Sequence, residues 1–139
     1  MQQAIQDIIE NFEFLDDWED RYKYVIELGD GLEALTEDEK SEQYKVNGCV
    51  SQVWVVPEVR EEDGDKRLYL RGDSDAHIVR GLVAITIAMF SGLPVREAAQ
   101  FDTETVFKDI GLRDHITPQR SNGLTSMIST IKKTAQAAA

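Results

Sequence analysis

The chain has 139 residues, 42% of them hydrophobic and 8% aromatic, enough for a core of large side chains and too many for a disordered acidic tail. Its 26 Asp and Glu against 15 Lys and Arg, a formal charge of -11, argue against nonspecific binding to DNA or RNA, which relies on cations that displace counterions from phosphates. One Cys forbids an intramolecular disulfide, and with only two His, His77 and His115, a four-ligand structural zinc site is not expected.

Along the chain, Ile5, Ile8, Ile9 and Phe12 follow the i, i+3, i+4, i+7 spacing of an apolar helix face. The segment ahead of them lacks the basic start and apolar stretch of a signal peptide, so a cytoplasmic home is expected. Trp18, Tyr22, Val25 and Ile26 predict a second helix that stops at Gly29 and Gly31, and Thr36 with Glu39 forms a capping box for a short third one. Residues 1–43 hold 14 acids and 3 bases, whereas residues 44–139 hold 12 of each, so the whole net charge lies in the first third. Those acids read as solvated helix faces, or as a surface that steers a basic partner.

From Tyr44 the pattern changes. Gln52-Val53-Trp54-Val55-Val56 and Arg67-Leu68-Tyr69-Leu70-Arg71 carry the branched and aromatic residues of strands, and Asp63-Gly64 between them predicts a hairpin. Tyr44 to Val46 is expected to add a short strand, and Trp54 reads as a packed side chain rather than a platform for bases. Asp73, Ser74 and Asp75 then offer helix-capping oxygens ahead of a helix over Ala76 to Phe90, apolar on nearly every face beyond Arg80. Its apolar run from Leu82 to Phe90 is far short of the ~18 residues that span a bilayer.

Gly92 and Pro94 end that helix, and a short one is expected around Val95 to Gln100. Asp102 and Thr103 cap another, with Val106 and Phe107 facing inward and Gly111 closing it. Thr117-Pro118 opens a last helix with the stripe Leu124, Met127, Ile128 and Ile131, read as plain core; Lys132 and Lys133 complement its dipole and 134–139 reads as a frayed tail. No repeat or low-complexity linker divides the chain. The expectation is one α+β domain over 1–139, a small antiparallel sheet packed against several helices.

Cys49 follows an Asn47-Gly48 turn and stands just before a strand, which places its sulfur on a loop. Free Cys is often only a small buried hydrophobe, while reactive groups favour loops held by rigid elements, and Gly48 leaves one flank of the sulfur without side-chain cover. The residues alone leave both readings open.

Three stretches add a resemblance: Val46-Asn47-Gly48-Cys49-Val50-Ser51-Gln52-Val53-Trp54, Gly72-Asp73-Ser74-Asp75-Ala76-His77-Ile78-Val79-Arg80-Gly81-Leu82, and His115-Ile116-Thr117-Pro118-Gln119-Arg120-Ser121-Asn122-Gly123-Leu124. In order and spacing they resemble the SufE family of sulfur-acceptor proteins, and the likeness runs from about Phe14 to Ile131, including Tyr24-Val25-Ile26-Glu27-Leu28-Gly29. Gln119 stands where the family usually has Ser, and the hairpin tip is somewhat long; neither touches the thiol.

The resemblance implies a fold shared with the iron-sulfur scaffold IscU and a role beside a SufS-like cysteine desulfurase, whose pyridoxal phosphate is the partner's and not this chain's cofactor. Cys49 would accept the desulfurase's persulfide sulfur, speed its turnover and pass sulfur to an iron-sulfur scaffold complex. Gly48, Val50, Ser51, Asp73, Asp75 and Arg120 would form the partner-binding face. A scaffold needs several Cys ligands, so a single Cys independently fits a carrier. No metal site, nucleic acid or membrane is expected. The chain would act as an accessory protein rather than an enzyme in its own right.

Several residues also have plainer explanations. Helix capping accounts for Asp73, Ser74 and Asp75. Arg120, at the helix end that disfavours a cation, points to a specific ion pair or a partner contact. His77 and His115 read as surface or capping residues. The alternative functions are a Cys-His hydrolase or transferase, which would need one of these two His beside Cys49, and an acidic interaction module with a structural Cys.

Overall fold

Asp63 and Gly64 both take positive φ, 53° and 83°, which forms the two-residue turn that matches the twist of a hairpin. In the computed structural model, which describes residues 2–139, this turn joins β1 (Val53–Glu62) to β2 (Asp65–Ser74). The strands run antiparallel, with Glu62 opposite Asp65 at the tip and Val53 opposite Ser74 at the base. Each is longer than its apolar run. The expected strand at Tyr44 to Val46 is reduced to a bridge, in which the Val46 amide donates to the Val53 carbonyl at 2.8 Å and the Val55 amide to the Tyr44 carbonyl at 2.9 Å.

Side-chain alternation gives the sheet two packed faces. Val53, Val55, Leu68 and Leu70 join the main core, while Trp54 and Val56 on the reverse face bury against Leu35 and Tyr44 in a small second cluster. Trp54 is a packed side chain, as expected. Arg71 pairs with Glu39 across this cover, which ties the segment after the second helix to the hairpin.

Among the described residues six helices complete the fold: α1 (Gln3–Phe14), α2 (Trp18–Asp30), α3 (His77–Phe90), α4 (Val95–Gln100), α5 (Thr103–Ile110) and α6 (Pro118–Ala138), with a 3₁₀ turn at Arg113–His115 before the last. The central one is α3, in which Val79, Leu82, Val83, Ile85, Met89 and Phe90 are buried, worth on the order of 2 kcal/mol for each large side chain. Its buried Thr86 hydroxyl donates to the Leu82 carbonyl at 2.8 Å, so the one polar group of the apolar run is satisfied within the helix. Helix α2 crosses α3 where two glycines meet: a Cβ on Gly29 would lie 2.7 Å from the Gly81 nitrogen.

Three local expectations change. Thr36 and Glu39 do form the reciprocal capping box, with the Glu39 amide bonded to Thr36 Oγ1 at 3.2 Å and the Thr36 amide to Glu39 Oε1 at 3.0 Å, but it closes a turn rather than a third helix. The N-cap of α3 is Ala76, without a side-chain bond, because β2 runs on to Ser74 and the carboxylates of Asp73 and Asp75 are engaged elsewhere. The segment 134–139, expected to fray, continues α6 as far as Ala138, held by a fully buried Ala135. Lys132 and Lys133 therefore lie more than a turn before the helix end. By contrast, Asp102 and Thr117 cap α5 and α6, accepting from the Thr105 amide at 3.1 Å and the Arg120 amide at 3.2 Å. Among the described residues no helix is long and apolar enough to cross a membrane.

Candidate functional site

The strand pairing that begins at Val53 also closes a loop. Between Val46 and Val53 the chain leaves the sheet, turns through Gly48 at a φ of 91°, presents Cys49 and Val50, and returns. Positive φ is needed there, and so is the missing side chain, because a Cβ on Gly48 would lie 2.5 Å from Ser126 Oγ on α6. The neck of the loop is pinned from β2. Asp75 Oδ1 accepts from the Gln52 amide at 3.0 Å, and Ser74 Oγ donates to the Gln52 carbonyl at 2.7 Å. The residues expected to cap α3 thus anchor the cysteine loop. Asp73 takes another role, accepting from Arg80 Nε at 2.9 Å with Lys40 at 3.8 Å, which braces β2 against α3.

The Cys49 side chain turns inward. Its thiol donates to the Gly123 carbonyl on α6 at 3.5 Å, and a Cβ on Gly123 would lie only 3.3 Å from Sγ. A glycine inside a helix costs about 1 kcal/mol relative to alanine, and this one makes room for the sulfur. Beside the thiol is a cavity of about 190 Å³, well above the ~15 Å³ that a water-sized occupant needs. Val53, Val79, Leu82 and Met127 form its apolar floor, and Thr117, Gln119 and Arg120 form its rim. Met127 therefore serves the site as well as the core. Partial burial pushes the Cys49 thiol above its ordinary pKa, since nothing beside it compensates for the loss of water.

Of the residues expected at the partner face, Val50, Ser51 and Arg120 line the cavity mouth beside Cys49. Val50 is 80% exposed, an unusual position for a valine, next to a half-buried sulfur. Arg120 forms no ion pair among the described residues, so the cation in the first turn of α6 faces the cavity rim unneutralised. Gly48 and Asp75 shape the loop, and Asp73 lies behind it. Neither His77 nor His115 lines the cavity, and the Gly123 carbonyl is the thiol's hydrogen-bond partner. The Cys-His couple that a thiol hydrolase would use is not formed. No group of three His, Cys, Asp or Glu among the described residues is placed to hold a metal ion. Sequence reading missed the floor residues Val79, Leu82 and Met127, whose apolar spacing says only that they are inside. The one signal available was Gly123, a helix-interior glycine that implies a close approach.

Comparison with known proteins matches the domain described as "Fe-S metabolism associated domain" of the SufE family over residues 6–135. The chain belongs to the SufE family. An uncharacterized SufE-like protein of Rhizobium etli is 49% identical over 133 residues, covering 96% of this chain and 90% of its own length. A second from Rhizobium meliloti is also 49% identical over 133 residues, covering 96% and 95%. A solution structure of a hypothetical protein from Thermus thermophilus superposes with a TM-score of 0.72 at 20% identity, covering 97% of this chain and 95% of the other, which shows that the α+β fold is shared. SufE membership places this chain in iron-sulfur metabolism.

Proposed function

We propose that this SufE-family protein accepts sulfur on Cys49 from a cysteine desulfurase, stimulates that enzyme by clearing its sulfur, and delivers the sulfur for iron-sulfur cluster assembly. The observation that carries the reading is a lone cysteine on a pinned loop, its sulfur turned into an apolar cavity with room for a second sulfur atom and no imidazole in its walls. The Cys49 thiolate attacks the outer sulfur of the desulfurase persulfide. The partner's sulfur-sulfur bond breaks, its cysteine leaves as a thiolate, and a new sulfur-sulfur bond forms on Cys49, with no net oxidation or reduction.

The raised pKa of the resting thiol makes the free protein a poor nucleophile, so activation belongs to the complex, where the loop enters the partner's site. Val50 and Ser51 accompany the sulfur there, and Arg120 supplies a cation beside a developing thiolate or persulfide anion. Gly48 and Asp75 let the loop turn and hold its neck, and Asp73 steadies the strand behind it. Back in the free protein, the cavity shields the persulfide from oxidants and solvent thiols. Pyridoxal phosphate chemistry stays with a SufS-like partner, the downstream acceptor is an iron-sulfur scaffold, and the setting is the cytoplasm.

The test is mass spectrometry after incubation with a cysteine desulfurase and cysteine. Wild type is expected to gain one sulfur atom, lost again on reduction, and Cys49→Ser none. A Cys49→Ser protein that stimulates the desulfurase as well as wild type would end the carrier mechanism. An acyl adduct formed with an ester substrate would favour a thiol hydrolase instead.

A further inference from the structure

The rim of the cysteine cavity is the first turn of α6, which raises the question of what holds that turn in place. Thr117 caps it internally, but the chain leading into it, Gly111 to Ile116, has one 3₁₀ turn and no strand or long helix of its own. Arg113 fixes one side by forking onto Glu104 of α5 at 3.0 and 2.8 Å and onto Ser121 Oγ of α6 at 2.7 Å. The other side is held by α2. The His115 imidazole lies flat on the Trp18 indole, with ring centroids 3.8 Å apart and planes 11° from parallel, and the Tyr22 hydroxyl donates to the His115 carbonyl. The same imidazole meets the Gly111 carbonyl through Nδ1 at 3.1 Å, which sets the ring's orientation. Trp18 is itself fixed, with Tyr22 at 5.7 Å, Phe12 at 6.2 Å and the Arg21 guanidinium at 5.1 Å from its centroid, and Arg21 is tied to the Leu15 carbonyl at 2.9 Å.

Trp18 packs against the edge of the core, but His115 is exposed, so the imidazole's side of the stack adds little buried apolar surface. Its geometric effect is local: it fixes residue 115, two positions before the Thr117 that opens the cavity wall. We infer that the Trp18–His115 stack, with the Tyr22 hydroxyl, is a clamp through which α2 sets the width of the cysteine cavity, making Trp18, Tyr22 and His115 positioning residues for sulfur transfer. None of the three lines the cavity, so each acts through the Thr117–Arg120 turn. The inference rests on the sulfur-carrier reading for its purpose, but its test does not need a desulfurase.

The test is the rate of Cys49 alkylation by iodoacetamide in the free, folded protein. An aromatic pair of this kind is worth a factor of about three to ten in an opening equilibrium, so His115→Ala is expected to speed alkylation about three- to tenfold, Tyr22→Phe by a smaller factor, and His115→Phe, which restores a stacked ring, to return it toward wild type. Ile5→Val, a fully buried change in α1, controls for general loosening and is expected to lower the melting temperature without changing the alkylation rate. Wild-type rates in both His115→Ala and Tyr22→Phe would overturn the clamp, as would equal acceleration by Ile5→Val. A protein that alkylates as expected yet never gains sulfur from a desulfurase would keep the clamp and remove the carrier function.

Discussion

Cys49 is partly withdrawn from water, which favours the neutral thiol, and no cation within its loop offsets that loss. The sign follows: with its pKa raised, the thiol stays protonated at pH values where an exposed one ionises, and only the thiolate reacts. The alkylation rate of the free protein is therefore expected to rise to a midpoint on the alkaline side of that of an unhindered thiol such as glutathione. A stopped-flow pH series checks this, and a midpoint at or below glutathione's would contradict the shielded resting state. If Cys49 accepts sulfur from a desulfurase as proposed, docking should move the midpoint down as Arg120 and partner groups close on the sulfur. Ser74 and Asp75 teach the opposite lesson about single residues. Their chemistry as capping oxygens was legible, but the groups they serve were not, because Gln52 lies far away in sequence and is brought alongside only by the hairpin.

Helix elements differ in how they use glycine, and substitution by alanine separates the two uses. In α3, a Cβ on Gly81 would overlap the Val25 carbonyl of α2, a rigid neighbour. Overpacking of about 3 kcal/mol there outweighs the ~1 kcal/mol of helix propensity gained, so Gly81→Ala is expected to lose about 2 kcal/mol in urea unfolding. In α6, a Cβ on Gly123 would press on Cys49, 3.3 Å from its sulfur with the Cα and Cβ in ordinary contact at 3.7 Å, a clash that rotation of the thiol outward relieves. Gly123→Ala is expected to keep or slightly raise stability while exposing the thiol to faster alkylation. Equal stability losses in both variants would count against this reading of the loop. Most elements were legible from period and punctuation: the hairpin from Asp63-Gly64, α5 from Asp102 and Gly111, and α6 from Thr117-Pro118. The exceptions were decided by tertiary packing. The Thr36–Glu39 box closes only a turn because the Arg71 pair draws Glu39 onto the hairpin, and the last turns of α6 stay wound because Ala135 is buried.

At the scale of the whole molecule, the charge of -11 concentrates in α1, α2 and the segment up to residue 43, while the part bearing the cysteine loop is neutral overall. The Trp18–His115 stack brings the start of α2, with its acidic neighbours Asp16 and Glu19, toward the chain that leads into the cavity rim. If this surface steers a basic partner, the double reversal Asp16→Lys with Glu19→Lys should slow association with the desulfurase proposed as that partner, strongly at ~0.05 M salt and weakly at ~0.3 M. Asp17 must be left alone, because it caps α2 by accepting from the Asp20 amide at 2.9 Å. An association rate unchanged at low salt would return these acids to the plainer role of solvated helix faces.

Local periodicity and turn chemistry are enough to class the protein as an α+β domain without disulfides, with one thiol placed on a loop by Asn47-Gly48. Those properties depend on neighbours along the chain. It takes the folded chain to turn the thiol into a cavity, to bring β1, α3 and α6 together as its floor, and to set Gly123 where it makes room for the sulfur. Folding likewise sets His115 on Trp18 instead of beside Cys49. Each of these joins residues some thirty to a hundred positions apart, and apolar spacing says which side chains are buried but not which of them meet.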